Sequence, residues 1–95
     1  MRHLVKITLS KARKIAENVA RHHMNSGEPF VRKSKTGDFL VVIPIFSGKK
    51  IVSFAFGNID ENTGNYGGTS ISSEHVEMMR RLRIAHGKRY VRKVK

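Results

Sequence analysis

Cysteine is absent from this 95-residue chain, which excludes disulfides and thiolate metal sites. Tryptophan is absent as well, and proline occurs only at positions 29 and 44. Acid is scarce, with seven Asp and Glu against nineteen Lys and Arg, a formal net charge of +12. No segment approaches the roughly 18 consecutive apolar residues that a membrane span needs. The opening MRHLVKITLS lacks the apolar core and small-residue cleavage site of a secretory signal. Together these absences lead to the expectation of a cytoplasmic chain with no membrane partner, no metal and no cofactor.

What remains is enough for one domain with one modest core. Hydrophobic residues make up 39% of the chain and run through its middle, which separates it from the disordered class in spite of its charge. A net charge of this size repels itself, and a polyanion relieves the repulsion because each phosphate neutralised releases condensed counterions. Solubilising surface charge is the other use of such an excess.

Val5, Ile7 and Leu9 alternate with Lys6 and Thr8, which reads as a short first strand. From Ser10 the period changes. Ala12, Ile15, Ala16, Val19, Ala20 and His23 recur at helical spacing, while Lys11, Arg13, Lys14, Asn18 and Arg21 occupy the other side. That pattern predicts an amphipathic helix over 10–25 with a basic outer face and His23 packed in the core. Thr8 or Ser10 caps its start. After Pro29 comes an extended stretch over 30–34, a turn at 35–38, and the apolar FLVVIPIF of 39–46, whose β-branched residues predict a central strand buried on both faces. Pro44 removes one ladder donor and implies a bulge or an edge position there. Ser47-Gly48-Lys49-Lys50 reads as a hairpin loop leading into a strand over 51–59. The glycine- and asparagine-rich segment 60–69 reads as a mobile loop. Ser72 or Ser73 caps a second helix with a stripe of Val76, Met79, Leu82 and Ala85 turned inward, stopped by Gly87. The expected architecture is α+β: a small antiparallel sheet of three or more strands flanked by two helices. Residues 1–87 form its single domain, and residues 88–95 form a basic arm or a last short strand.

Candidate function lies in the charge. Arg80, Arg81, Arg83, Lys88, Arg89, Arg92, Lys93 and Lys95 follow one another with no acid among them, the density of a phosphate-binding segment. Tyr90 stands among them, suited to stack on a base or a sugar. Arg32 and Lys33, with Lys35, form a second basic group near the first turn of the sheet. Lys49 and Lys50 lie on the next hairpin, at the opposite end of the strand that the two connections share.

The order helix, three-strand meander, helix resembles the double-stranded-RNA-binding domain, and GDFLVVIPIFSGKKIVSFAFG is similar to integrase-arm and AP2-type DNA-binding sheets. Both resemblances concern element order over about half to two-thirds of the chain. Glu74 and Glu77 stand where the first family carries helix-start cations, and no strand tryptophan marks the second, so no family residues are carried over. His22 and His23 point about 100° apart on a helix, and His75 and His86 stand three turns apart, so no zinc spacing results. The expectation is a small nucleic-acid-binding protein, for DNA or RNA, that is not an enzyme. Two other readings stay open. One is a phage-type inhibitor or adaptor for a protein target, with a strand edge available for homodimerisation. The other is a small ribonuclease toxin using His22 with Arg21, or His86 with Arg83 and Tyr90.

Overall fold

The computed structural model describes the backbone of residues 6–94 and the side chains of residues 6–86. The elements are α1 (Leu9–Ala20), β1 (Phe30–Lys33), β2 (Phe39–Ser47), β3 (Lys50–Ile59), β4 (Tyr66–Gly67) and α2 (Ser73–Val94). The strands form one antiparallel sheet in the order β1-β2-β3-β4, so the fold is α+β as the change of period implies. Leu4 and Val5 lie outside the described residues. The rest of the expected first strand is not one: Thr8 caps α1, its hydroxyl accepting from the Lys11 N–H at 3.2 Å, and Leu9 is already helical.

The sheet is sandwiched. Successive side chains of a strand point to opposite faces, and β2 supplies apolar residues to both. Phe39, Val41 and Ile43 join Val31 and Ile59 against Ala12, Ala16 and Ala20 of α1. Leu40 and Val42 join Met78 of α2 on the other side, with Phe54 and Phe56 beside them. The three buried alanines put small side chains at the centre of the inner side of α1, with Ile15 and Val19 packing at its margin, so its backbone can approach the sheet closely. Each fully buried side chain of the size of Ile43 or Ile59 contributes about 1.5–3 kcal/mol. The likeness to the double-stranded-RNA-binding domain therefore ends at element order, since here the two helices lie on opposite faces.

Pro44 is accommodated because β1 begins at Phe30, opposite Val42, two positions short of it. Beyond that point the chain leaving α1 takes over. Gly27 donates to the Pro44 carbonyl at 2.8 Å, and Phe46 donates to the Asn25 carbonyl at 2.9 Å. A Cβ on Gly27 would stand 2.5 Å from the Phe46 ring, so only glycine permits this approach. The expected irregularity is a register shift between Ile45 and Phe46 against β3.

Four expectations need correction. First, α1 stops at Ala20, whose carbonyl accepts from the His23 N–H and the Ser26 hydroxyl, so His23 never reaches the core and stands exposed. Second, the inward side of α2 is His75, Met78, Met79 and Leu82, so Met79 and Leu82 lie where expected, whereas Val76 is 51% exposed and Ala85 is exposed too. Third, Gly87 does not end α2, and helical backbone in place of a last strand continues to Val94. Fourth, the glycine-rich segment is a loop only in part, because Tyr66–Gly67 form β4 and close a hairpin. Asp60 accepts from the N–H groups of Asn62 and Thr63 at 2.7 and 3.0 Å, Gly64 turns the chain at φ 77°, and β4 then pairs with β3.

Polar contacts hold α2 at both ends of its described length. Ser72 caps it, accepting from the His75 N–H at 3.2 Å, and the His75 ring returns the contact, with Nδ1 accepting from the Ser72 N–H at 3.1 Å. This is a capping box with histidine in the place that Glu or Gln usually takes. The other ring nitrogen donates to the Gly57 carbonyl of β3 at 3.1 Å, and Glu74 accepts from the Ser34 hydroxyl at 3.1 Å. Farther along, His86 bonds the Lys49 carbonyl and meets the Phe46 ring edge-on at 5.1 Å.

Candidate nucleic-acid interface

Both helices run in the direction of β2. Each starts near the β1–β2 turn, where Ile7 donates to the Glu61 carbonyl and Glu74 meets Ser34, and each approaches the β2–β3 hairpin at its far end. The two helices lie on opposite faces of the sheet.

The side chains of four of the seven acids, Asp60, Glu61, Glu74 and Glu77, have partners among the described residues, while those of Glu17, Glu28 and Asp38 have none. Glu61 accepts from Lys33 at 3.1 Å and lies 3.7 Å from Lys6. Glu77 takes Arg80 at 3.0 Å and Arg81 at 3.2 Å, and these two hydrogen bonds hold its carboxyl below the usual carboxylate range. The backbone donors of Asn62 and Thr63 do the same for Asp60. Glu74 is bonded to Ser34.

These pairings change the standing of the expected binding residues. Lys33 is structural: besides its ion pair with Glu61, its ammonium lies 5.0 Å above the Phe39 ring. Arg32, the next residue along β1, points to the opposite face and is half-buried. The two therefore do not form one patch. Arg80 and Arg81 share one carboxylate, and Arg83 lies 5.2 Å over the Phe54 ring with its exposed side to solvent. Lys88, Arg89, Tyr90, Arg92 and Lys93 follow on the same continuous helix, and their side chains lie outside the described residues.

Exposed cations without an ion pair among the described residues include Arg13 on α1, Lys35 on the β1–β2 turn and Lys50 in β3, and three more that stand in one row along α1 and its C-cap. Lys11, Lys14 and Arg21 are exposed, and none makes an ion pair among the described residues. At 3.6 residues per turn they fall with Asn18 within about 80° of one another, a row about 15 Å long. They border one open depression together with Ile15 and Glu17. Glu17, four residues before Arg21, does not pair with it. Density of charge along the chain favoured the C-terminal segment; this row is legible instead in the helical spacing of positions 11, 14, 18 and 21.

On the other side of the sheet, a cavity of about 540 Å³ opens between α2 and β1, bordered by Pro29, Phe30, Pro44, Phe46, Leu82 and His86 among others. It exists because α2 crosses β2 and β3 and leaves β1, an edge strand, uncovered on that face. Among the described residues, no group of three or more His, Asp or Glu is placed to hold a metal ion, and no helix is long and apolar enough to cross a membrane. Neither of the described ring nitrogens of His75 and His86 that bond backbone carbonyls is free to act on a substrate in this arrangement. Comparison with protein families, curated proteins and solved structures finds no match for the chain.

Proposed function

We propose that this domain binds a nucleic acid through phosphate contacts, with the row formed by Lys11 and Lys14 on α1 and Arg21 at its C-cap as a principal surface and the basic C-terminal half of α2 as a second. The observation that carries the proposal is the division of charge. Glu61 and Glu77 pair with cations elsewhere, and neither Glu17, the acid of α1 itself, nor any other acid forms an ion pair with Lys11, Lys14 or Arg21 in the described fold. Leaving them so costs self-repulsion, which a polyanion reverses with a gain from counterion release. The role is accessory or regulatory and not enzymatic, and a cytoplasmic setting goes with it.

The test is an anisotropy titration of labelled nucleic acids over a range of salt, with Lys11→Gln/Lys14→Gln/Arg21→Gln and Arg89→Gln/Arg92→Gln/Lys93→Gln as separate variants. Each phosphate contact removed lowers the magnitude of the logarithmic salt slope by about 0.7–0.9. Absence of binding at low salt refutes the proposal. A second reading, an adaptor for an acidic protein segment, draws on the cavity beside the open β1 edge. It would be favoured if both variants bound nucleic acid as wild type does.

A further inference from the structure

Resting on that reading, we infer that the polyanion is a duplex, gripped by its two backbones, and not a single strand read through its bases. Single-strand sites combine a basic groove with exposed aromatic platforms, each stacked base adding about 1–3 kcal/mol. Among the described residues no exposed phenylalanine or tyrosine ring supplies that platform. The sheet, where such aromatics would lie, is covered by α1 on one face and by α2 on the other except along β1, where Phe30 and Phe46 border the cavity as half-buried rings. The described aromatic rings are buried or half-buried, and several are already covered by a side chain: Phe39 by Lys33, Phe54 by Arg83, Phe46 by His86 and Phe56 by His75. Among the described residues, the large hydrophobic side chains left exposed are aliphatic, such as Met24, Val52 and Ile84.

With no exposed phenylalanine or tyrosine ring among the described residues, the affinity of such a surface follows charge density. A duplex presents one charge per about 1.7 Å of axis, against about 3.4 Å for each of its strands. The α1 row fits that array. Its length of about 15 Å exceeds the roughly 12 Å width of a major groove, so Lys11 at one end and Arg21 at the other reach phosphates on the two sides, with Asn18 between them toward the groove. Because the row is carried on a helix packed by three buried alanines, its spacing is set before binding. A flexible strand would have to be ordered to match it.

The experiment compares, by fluorescence anisotropy at matched salt, a short DNA duplex, the RNA duplex of the same sequence, and the separated unstructured strands. The expected result is binding of at least one duplex about tenfold or more tighter than either of its strands. Lys11→Gln/Lys14→Gln/Arg21→Gln is expected to reduce that preference while leaving the circular dichroism unchanged, since all three positions are exposed. The two duplex arms separate DNA from RNA. Strands bound as tightly as the duplexes would overturn the inference and leave the phosphate reading standing. Failure of every nucleic acid to bind would overturn the reading and the inference with it.

Discussion

Replacing His75 by Ala tests how α2 is held on the sheet. The ring is 1% exposed and joins two elements, accepting from the Ser72 N–H at 3.1 Å and donating to the Gly57 carbonyl at 3.1 Å, while packing 5.3 Å from the Phe56 ring. Losing the first bond removes half of the capping box, about 1 kcal/mol. Losing the second leaves the carbonyl of a buried glycine without that donor, about 1–3 kcal/mol. The missing imidazole adds the cost of a cavity. A total of about 3–4 kcal/mol corresponds to a thermal midpoint lowered by roughly 12–30 °C in a domain of this size. His75→Gln is the control, because glutamine at this helix position can rebuild the capping box and should recover about half of the loss. Thermal melts followed by far-ultraviolet circular dichroism give both numbers. A midpoint for His75→Ala within about 3 °C of wild type would refute the argument that this ring fixes the start of α2.

Other outcomes follow from the same packing. Met78→Ala is expected to cost about 2–5 kcal/mol in urea unfolding and Val76→Ala less than about 0.5, which checks the rotation of α2 about its axis. Gly57→Ala would set a methyl group 2.5 Å from the Tyr66 hydroxyl and 2.7 Å from the Gly67 carbonyl, so a loss of about 1–3 kcal/mol and a displaced β4 are expected by chemical denaturation and amide chemical shifts. Asp60 and Glu77 titrate below the ordinary carboxylate range because their hydrogen bonds favour the charged form. A depressed folded pKa means that the stability they confer is present above the unfolded value, near 4, and is lost as pH falls through the folded value; carboxyl titration by nuclear magnetic resonance checks the order. Tyr66 behaves oppositely. Burial pushes its phenol above the usual range, so stability is present at neutral pH and lost as pH rises through the folded value, measurable by phenolate absorbance in a Tyr90→Phe background.

Much of the architecture is legible in the order of residues. The change from a period of about 3.6 over Ala12, Ala16 and Ala20 to two-sided burial over Phe39–Ile43 marks a helix and a central strand, because these spacings are properties of single elements. The basic excess is equally local, and so is the row at positions 11, 14, 18 and 21 once the helix is recognised. What needed the tertiary structure was every choice between near-equal local alternatives. In α2, Val76 competes with His75 for the inner side that Met78, Met79 and Leu82 share. His75 wins because its polar ring finds the Gly57 carbonyl and Ser72, partners that no hydropathy pattern displays. His23 is excluded from the core by a hydroxyl three residues later, Ser26, which closes α1 at Ala20. Which cations remain open also depends on folding: Lys33 and Arg32 are neighbours in the chain, yet the pleat sends them to opposite faces and Glu61, 28 residues beyond Lys33, claims one of them. Periodicity determines what an element is; which of its sides is buried, and which of its charges stays unpaired, is decided by contacts between residues far apart in sequence.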